Sequence, residues 1–200
     1  MRTRNDAAPF PADTPRQLTA WSGAAAGEKR SLRTKNVSIK SQGLESGGFC
    51  PPTPASLPAL LSRLLACVRQ SRSAATTAPA STATALAFYA GFLTIHPFPD
   101  GNGRAARRLH IALLQHLDAD SPHHAIALTL MHRRTYADFH AALFEARSGE
   151  LHSLCEIYSR MLAVSVGQFA ERIRAIDQAL EEGNSTLAVQ HLTAIRDCLV

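Results

Sequence analysis

The chain has 200 residues, 46% hydrophobic and 18% charged, with a formal charge of +5. That length suits one domain with a short appendage, and that composition excludes wholesale disorder. No apolar run approaches the roughly 18 residues of a membrane span, and no apolar stretch follows the basic start at Arg2 and Arg4, so neither a membrane helix nor a secretory leader is expected.

Cys50, Cys67, Cys155 and Cys198 lack the short spacings of zinc knuckles or redox pairs. They read as reduced thiols of a cytoplasmic protein, with export into another cell left open. The positive surplus implies an anionic ligand or a mildly basic surface. No interleaving of aromatic and basic residues points to nucleic acid.

Residues 1–26 are rich in Pro, Ala, Thr and Gly and form a loose N-terminal segment, in which Leu18 and Trp21 can anchor a short helix. Val37 and Ile39 alternate with Asn36, Ser38 and Lys40, as in a half-buried strand, and Gln42-Gly43 and Gly47-Gly48 supply turns. This predicts a hairpin of 36–40 with 46–50, too small to stand without helices behind it. Ser56 and Pro58 then open a helix carrying Leu57, Leu60, Leu61, Leu64, Leu65 and Val68 at helical spacing, and 71–78 reads as a linker.

The stretch 80–95 is apolar on nearly every side and is expected to be the central helix, ended by Pro97 and Pro99. Another helix is predicted over 102–117, a loop over 118–124, and helices near 132–147, 150–165, 166–182 and 184–200. The class is all-α with one small β-hairpin.

The informative stretch is His96-Pro97-Phe98-Pro99-Asp100-Gly101-Asn102-Gly103-Arg104-Ala105-Ala106-Arg107. A glycine-containing loop entering a helix offers free amides and a positive dipole end to an anion. Arg104, Arg107 and Arg108 crowd the first turns of that helix, where cations oppose the dipole. A polyanion held between amides and arginines reconciles that placement. Asp100 beside phosphates implies a cation such as Mg²⁺. His96 carries an imidazole suited to taking a hydroxyl proton near neutral pH. Together these are the parts of a phosphoryl or nucleotidyl transferase.

The stretch resembles the signature H-P-F-x-[D/E]-G-N-G-R-x-x-R of the Fic (Fic/Doc) family, and the likeness extends over about residues 27–165, leaving 166–200 as a C-terminal helical extension. The resemblance implies a Fic-type helical bundle in which 33–49 is a flap hairpin. It implies AMP transfer from ATP to a Ser, Thr or Tyr hydroxyl of a target protein, with pyrophosphate released. His96 would be the base, Asp100 the Mg²⁺ ligand, Gly101, Asn102 and Gly103 the anion hole, and Arg104 and Arg107 the phosphate contacts. The target segment would lie along the flap by strand addition.

Two other readings are carried with it. One is a different phosphate or nucleotide transfer, or AMP removal, on the same scaffold. The other is a non-enzymatic binding module left from a toxin. The family's inhibitory pattern [S/T]-x-x-x-E-[G/N] has no full match: Glu182 precedes Gly183, but Gln178 stands where Ser or Thr belongs. Inhibition by a separate antitoxin-like partner, or none, is therefore expected. His123 and His124 read as surface residues of a loop, Arg108 as solvated, and Phe98 as core.

Overall fold

Prolines and capping residues punctuate the chain into helices. The computed structural model describes residues 14–24, 31–39, 48–74, 77–117 and 122–199, and these are almost entirely helical. They divide into two compact units. No described helix is long and apolar enough to cross a membrane.

The first unit holds α1 (Pro15–Ala24), α2 (Leu57–Ala74), α3 (Ala78–Ile95) and α4 (Asn102–His116), together with 143–151. A 3-10 turn, Pro54–Ser56, leads into α2. Thr77 caps α3 by accepting from the Ala80 N–H, with proline in the first turn. Leu86, Phe88, Tyr89, Phe92 and Leu93 are all buried, so α3 is the central helix its composition predicts. It packs against α2 on one side and α4 on the other. Leu57, Leu61, Leu65 and Val68 of α2 and Leu109, Leu113 and Leu114 of α4 close the core around it. His110 is wholly buried and satisfied, its Nδ1 3.0 Å from the Ala85 carbonyl.

The second unit contains α5 (Pro122–Arg134), the first part of α6 (Tyr136–Ala146), α7 (His152–Glu181) and α8 (Ser185–Leu199). Three expectations change here. The helix predicted near 132–147 is two helices broken at Thr135, whose hydroxyl donates back to the Met131 carbonyl while its own carbonyl accepts from Phe139. The helices predicted over 150–165 and 166–182 are one helix of 30 residues. Its buried row, Leu154, Tyr158, Met161, Ser165, Phe169, Ile173 and Ile176, runs straight through Val166-Gly167, and no proline interrupts it.

The third change concerns His123 and His124, which lie in α5 rather than in a surface loop, because Pro122 starts that helix. His124 is buried with Nδ1 2.7 Å from the Tyr158 hydroxyl. His123 Nδ1 lies 2.9 Å from the buried Ser165 Oγ.

The predicted flap is not a formed hairpin among the described residues. It is a single antiparallel bridge, Ile39 with Phe49, in which each amide donates to the other's carbonyl at 2.8 and 2.9 Å. The short alternating pattern around Val37 and Ile39 supports one rung, and glycine next to Phe49 weakens any extension. Gly48 is there because nothing larger fits: a Cβ would stand 2.8 Å from the Ile39 carbonyl oxygen. The turn residues 40–47 and the loose segment 1–13 lie outside the described residues, as does the side chain of Trp21.

Candidate active site

Helix α3 ends on His96, which adopts φ 49° and ψ 60°, the left-handed region, and donates its N–H to the Phe92 carbonyl at 2.9 Å. It is the one non-glycine residue with positive φ among those described. Proline follows it, which narrows its options further. A conformation of this kind persists only where its surroundings over-determine it.

Arg33 supplies that constraint. Its side chain is buried, and Nε donates to the His96 carbonyl at 2.8 Å. Nη1 donates to Lys35 at 3.1 Å, and Nη2 donates to the Pro52 carbonyl and approaches that of Ile95 at 3.5 Å. Its backbone N–H also donates to the Pro97 carbonyl at 2.9 Å. One guanidinium therefore holds the last carbonyls of α3, where a cation also complements the helix dipole. Burial lowers its pKa. The motif gave no sign of this residue, because it lies 63 positions before His96.

The loop then closes on itself. Phe98 is fully buried with its ring centroid 6.0 Å from that of Phe92. Asn102, also buried, accepts from the Phe98 N–H at 2.9 Å and donates to the Phe98 carbonyl at 2.8 Å. The Asn102 side chain is thus spent on loop shape, and its backbone N–H is what remains for an anion. Gly101 takes φ 74° at the N-cap, a conformation suited to glycine. Its carbonyl accepts from Ala105, so the amides of residues 102–104 have no partner inside the helix.

The cationic side chains stand around this helix end. Arg104 pairs with Asp100 at 3.3 Å, both largely exposed, a contact worth about 0–1 kcal/mol. Arg107 is half-buried and has no carboxylate partner among the described residues. It lies near Tyr89, whose hydroxyl pKa is raised by burial, with Arg107 partly offsetting the rise. A Cβ built on Gly103 meets nothing nearer than Arg107 Nη1, at 3.6 Å. The fold itself therefore does not require glycine at 103. Arg108 is exposed, as expected.

His96 is half-buried, and its Nδ1 is enclosed without a hydrogen-bond partner. Burial lowers its pKa, and the charges of Arg33 and Arg147 lower it further. The Leu93 backbone and the Asp100 carboxylate act in the opposite sense but do not prevail. With Nδ1 enclosed, Nε2 is the nitrogen left to meet a substrate.

Residues 12–114 match the family model described as Fic/DOC family. The chain belongs to the Fic/DOC family. Its fold is similar to that of a Fic family protein from Desulfovibrio desulfuricans G20, with a TM-score of 0.61 at 20% identity. The similarity covers 95% of this chain and 59% of that one, so this Fic chain spans less than two thirds of its structural relative. No curated protein matches it. The family match ends within α4, so the motif loop lies inside it and the second unit of this Fic protein lies beyond it.

Proposed function

We propose that the chain transfers AMP from ATP to a Ser, Thr or Tyr hydroxyl of a target protein. The observation that carries this reading is the half-buried Arg107 guanidinium with no carboxylate partner among the described residues, folded beside Gly103 at the amide-rich start of α4. An unneutralised, partly desolvated cation next to free amides is a costly arrangement unless an anion completes it. Glycine at 103 leaves room for phosphate oxygens, and Arg104 adds a second guanidinium one turn away.

The reaction needs a base, an acceptor and a leaving group. His96 Nε2 takes the proton from the target hydroxyl, whose oxygen attacks the α-phosphorus. The bond from that phosphorus to the bridging oxygen breaks, and pyrophosphate leaves with the electron pair. The amides of 102–104 and Arg107 stabilise charge on the phosphates as it shifts. The target segment reaches His96 by pairing with the backbone edge near Ile39 and Phe49.

Mg²⁺ fits the residues present. Among the described residues no three His, Cys, Asp or Glu gather to cage a metal. Mg²⁺ characteristically binds through one or two carboxylates, substrate phosphates and water. Asp100, exposed and paired with Arg104, is the carboxylate that would hold it. When bound, the ion neutralises phosphate charge.

Incubation with lysate, Mg²⁺ and ATP labelled at the α-phosphate should label protein, whereas γ-labelled ATP should not. Label from the γ position alone selects phosphate transfer instead. No label from either, with no uptake of MgATP by calorimetry, refutes the proposal.

A further inference from the structure

A second arginine near His96 belongs neither to the motif nor to the anion site. Arg147 follows α6 and lies in the first unit with the loop. Its guanidinium carbon stands 3.6 Å from the centroid of the Phe49 ring and 5.8 Å from that of Phe144. Its Nε is enclosed and has no hydrogen-bond partner. No carboxylate pairs with it among the described residues. Burial lowers its pKa, which marks the cost of keeping the charge there. A half-buried arginine satisfied by two ring faces and no anion is a poor choice for stability alone.

Its two neighbours give it a use. Phe49 is one half of the single bridge that the flap makes among the described residues. The Arg147 charge is also one of the lesser causes that lower the His96 pKa, after burial and Arg33. We propose that Arg147 is a positioning residue, holding the flap edge in place through the face of Phe49 while its charge acts on His96. The proposal rests on the AMP-transfer reading for its purpose, but not for its geometry.

The physical logic has two halves. Among the described residues the flap is held by two backbone hydrogen bonds, so a cation–π contact on Phe49 is a large share of what fixes that described edge. An acceptor segment that pairs with the edge is then placed relative to His96 by the same guanidinium. The charged groups acting on His96 are Arg33 from the segment before the flap, Arg147 after α6, and Asp100 in the loop. Arg33 is committed to backbone carbonyls, and Asp100 acts in the opposite sense. Arg147 is the cation of this set for which no hydrogen bond to a described residue spends the charge.

The test uses the full chain without nucleotide, by NMR. Amide exchange at Ile39 and Phe49 reports the flap, and the His96 ring titration reports the charge. Arg147→Met should speed amide exchange about two- to fivefold, the size of a cation–π contact, and raise the His96 midpoint. Phe49→Leu should loosen the flap alike but leave the His96 midpoint near wild type. Arg147→Lys should restore the midpoint more fully than the exchange rate, because it keeps the charge but stacks less well.

Wild-type exchange and midpoint in Arg147→Met overturn the proposal, as does a Lys variant indistinguishable from Met in both readouts. If Arg147→Met does not fold, Arg147→Lys and Phe49→Leu still separate the two effects. Neither readout depends on AMP transfer, so an inactive wild type sinks the functional reading and leaves this one standing.

Discussion

The motif loop and the flap are partners in the proposed function and opposites in construction. The loop is shut from several directions: Asn102 on both polar groups of Phe98, Phe98 in the core, and Arg33 on the end of α3. The flap, among the described residues, is one bridge between two short segments. Groups that meet a nucleotide benefit from being fixed before it arrives, since no reorganisation is then needed during the reaction. A surface that receives varied polypeptide segments benefits from an unfilled edge. On the proposed AMP-transfer reading, the difference would separate where rate is set from where the acceptor is chosen.

Removing the base is the most severe break. His96→Ala should lower AMP transfer by about 10²–10⁴-fold, with MgATP affinity kept within a few-fold, measured by label transfer and calorimetry. Loss of ATP binding along with transfer shows that His96 shapes the loop and is not the base. Next come the groups that shut the loop. Arg33→Met strips the His96 and Pro52 carbonyls of a charged donor and should cost about 2–4 kcal/mol. Asn102→Ala orphans the N–H and carbonyl of Phe98 and should cost about 2–3 kcal/mol. Denaturant unfolding checks both, and a shift under half that size would mean the loop is held by something else.

On the flap side the expected effect is smaller and local. Gly48→Ala forces a Cβ to within 2.8 Å of the Ile39 carbonyl oxygen, so the bridge must open. Global stability should fall by about 1 kcal/mol or less, while labelling of protein acceptors falls further than ATP binding does. Equal loss in both would place the flap in nucleotide binding and erase the contrast between the two regions.

The loop was legible in the sequence because its parts are contiguous: the histidine and prolines that follow α3, the glycines and the arginines all lie within 96–107. The central place of α3 was legible from an apolar surface with no polar face. Arg33 and Arg147 were not legible, since only folding brings them to His96 and a lone arginine carries no periodic signal. Asn102 was visible, but its side-chain task was not, because a buried amide closing a loop and one facing an anion look alike in sequence. His123 and His124 were misread for a related reason: a Ser-Pro pair signals a turn and a helix start equally well, and here Pro122 begins α5. Of the predicted flap, one bridge is seen among the described residues and the turn lies outside them; two alternating residues are in any case a short pattern for specifying a ladder.

The pH dependence gives the finest test of how the two regions meet at His96. Its pKa is lowered by burial, with Arg33 and Arg147 adding to the effect. The imidazole is therefore neutral, and able to accept a proton, throughout the neutral range. AMP transfer should hold from neutral pH down past about 6.5, the unperturbed histidine value, before its acid limb begins. Stability follows the same sign. Between the folded value and about 6.5 the unfolded chain binds a proton that the folded chain refuses, so protonation favours unfolding there. The contribution is fully present above about 6.5 and is lost as pH falls through the folded value. Unfolding measured across that window should show wild type losing stability relative to His96→Ala as acid is added. An acid limb of transfer above 6.5, or parallel stability curves, would mean that the ring is not desolvated and that the cations from either side do not reach it.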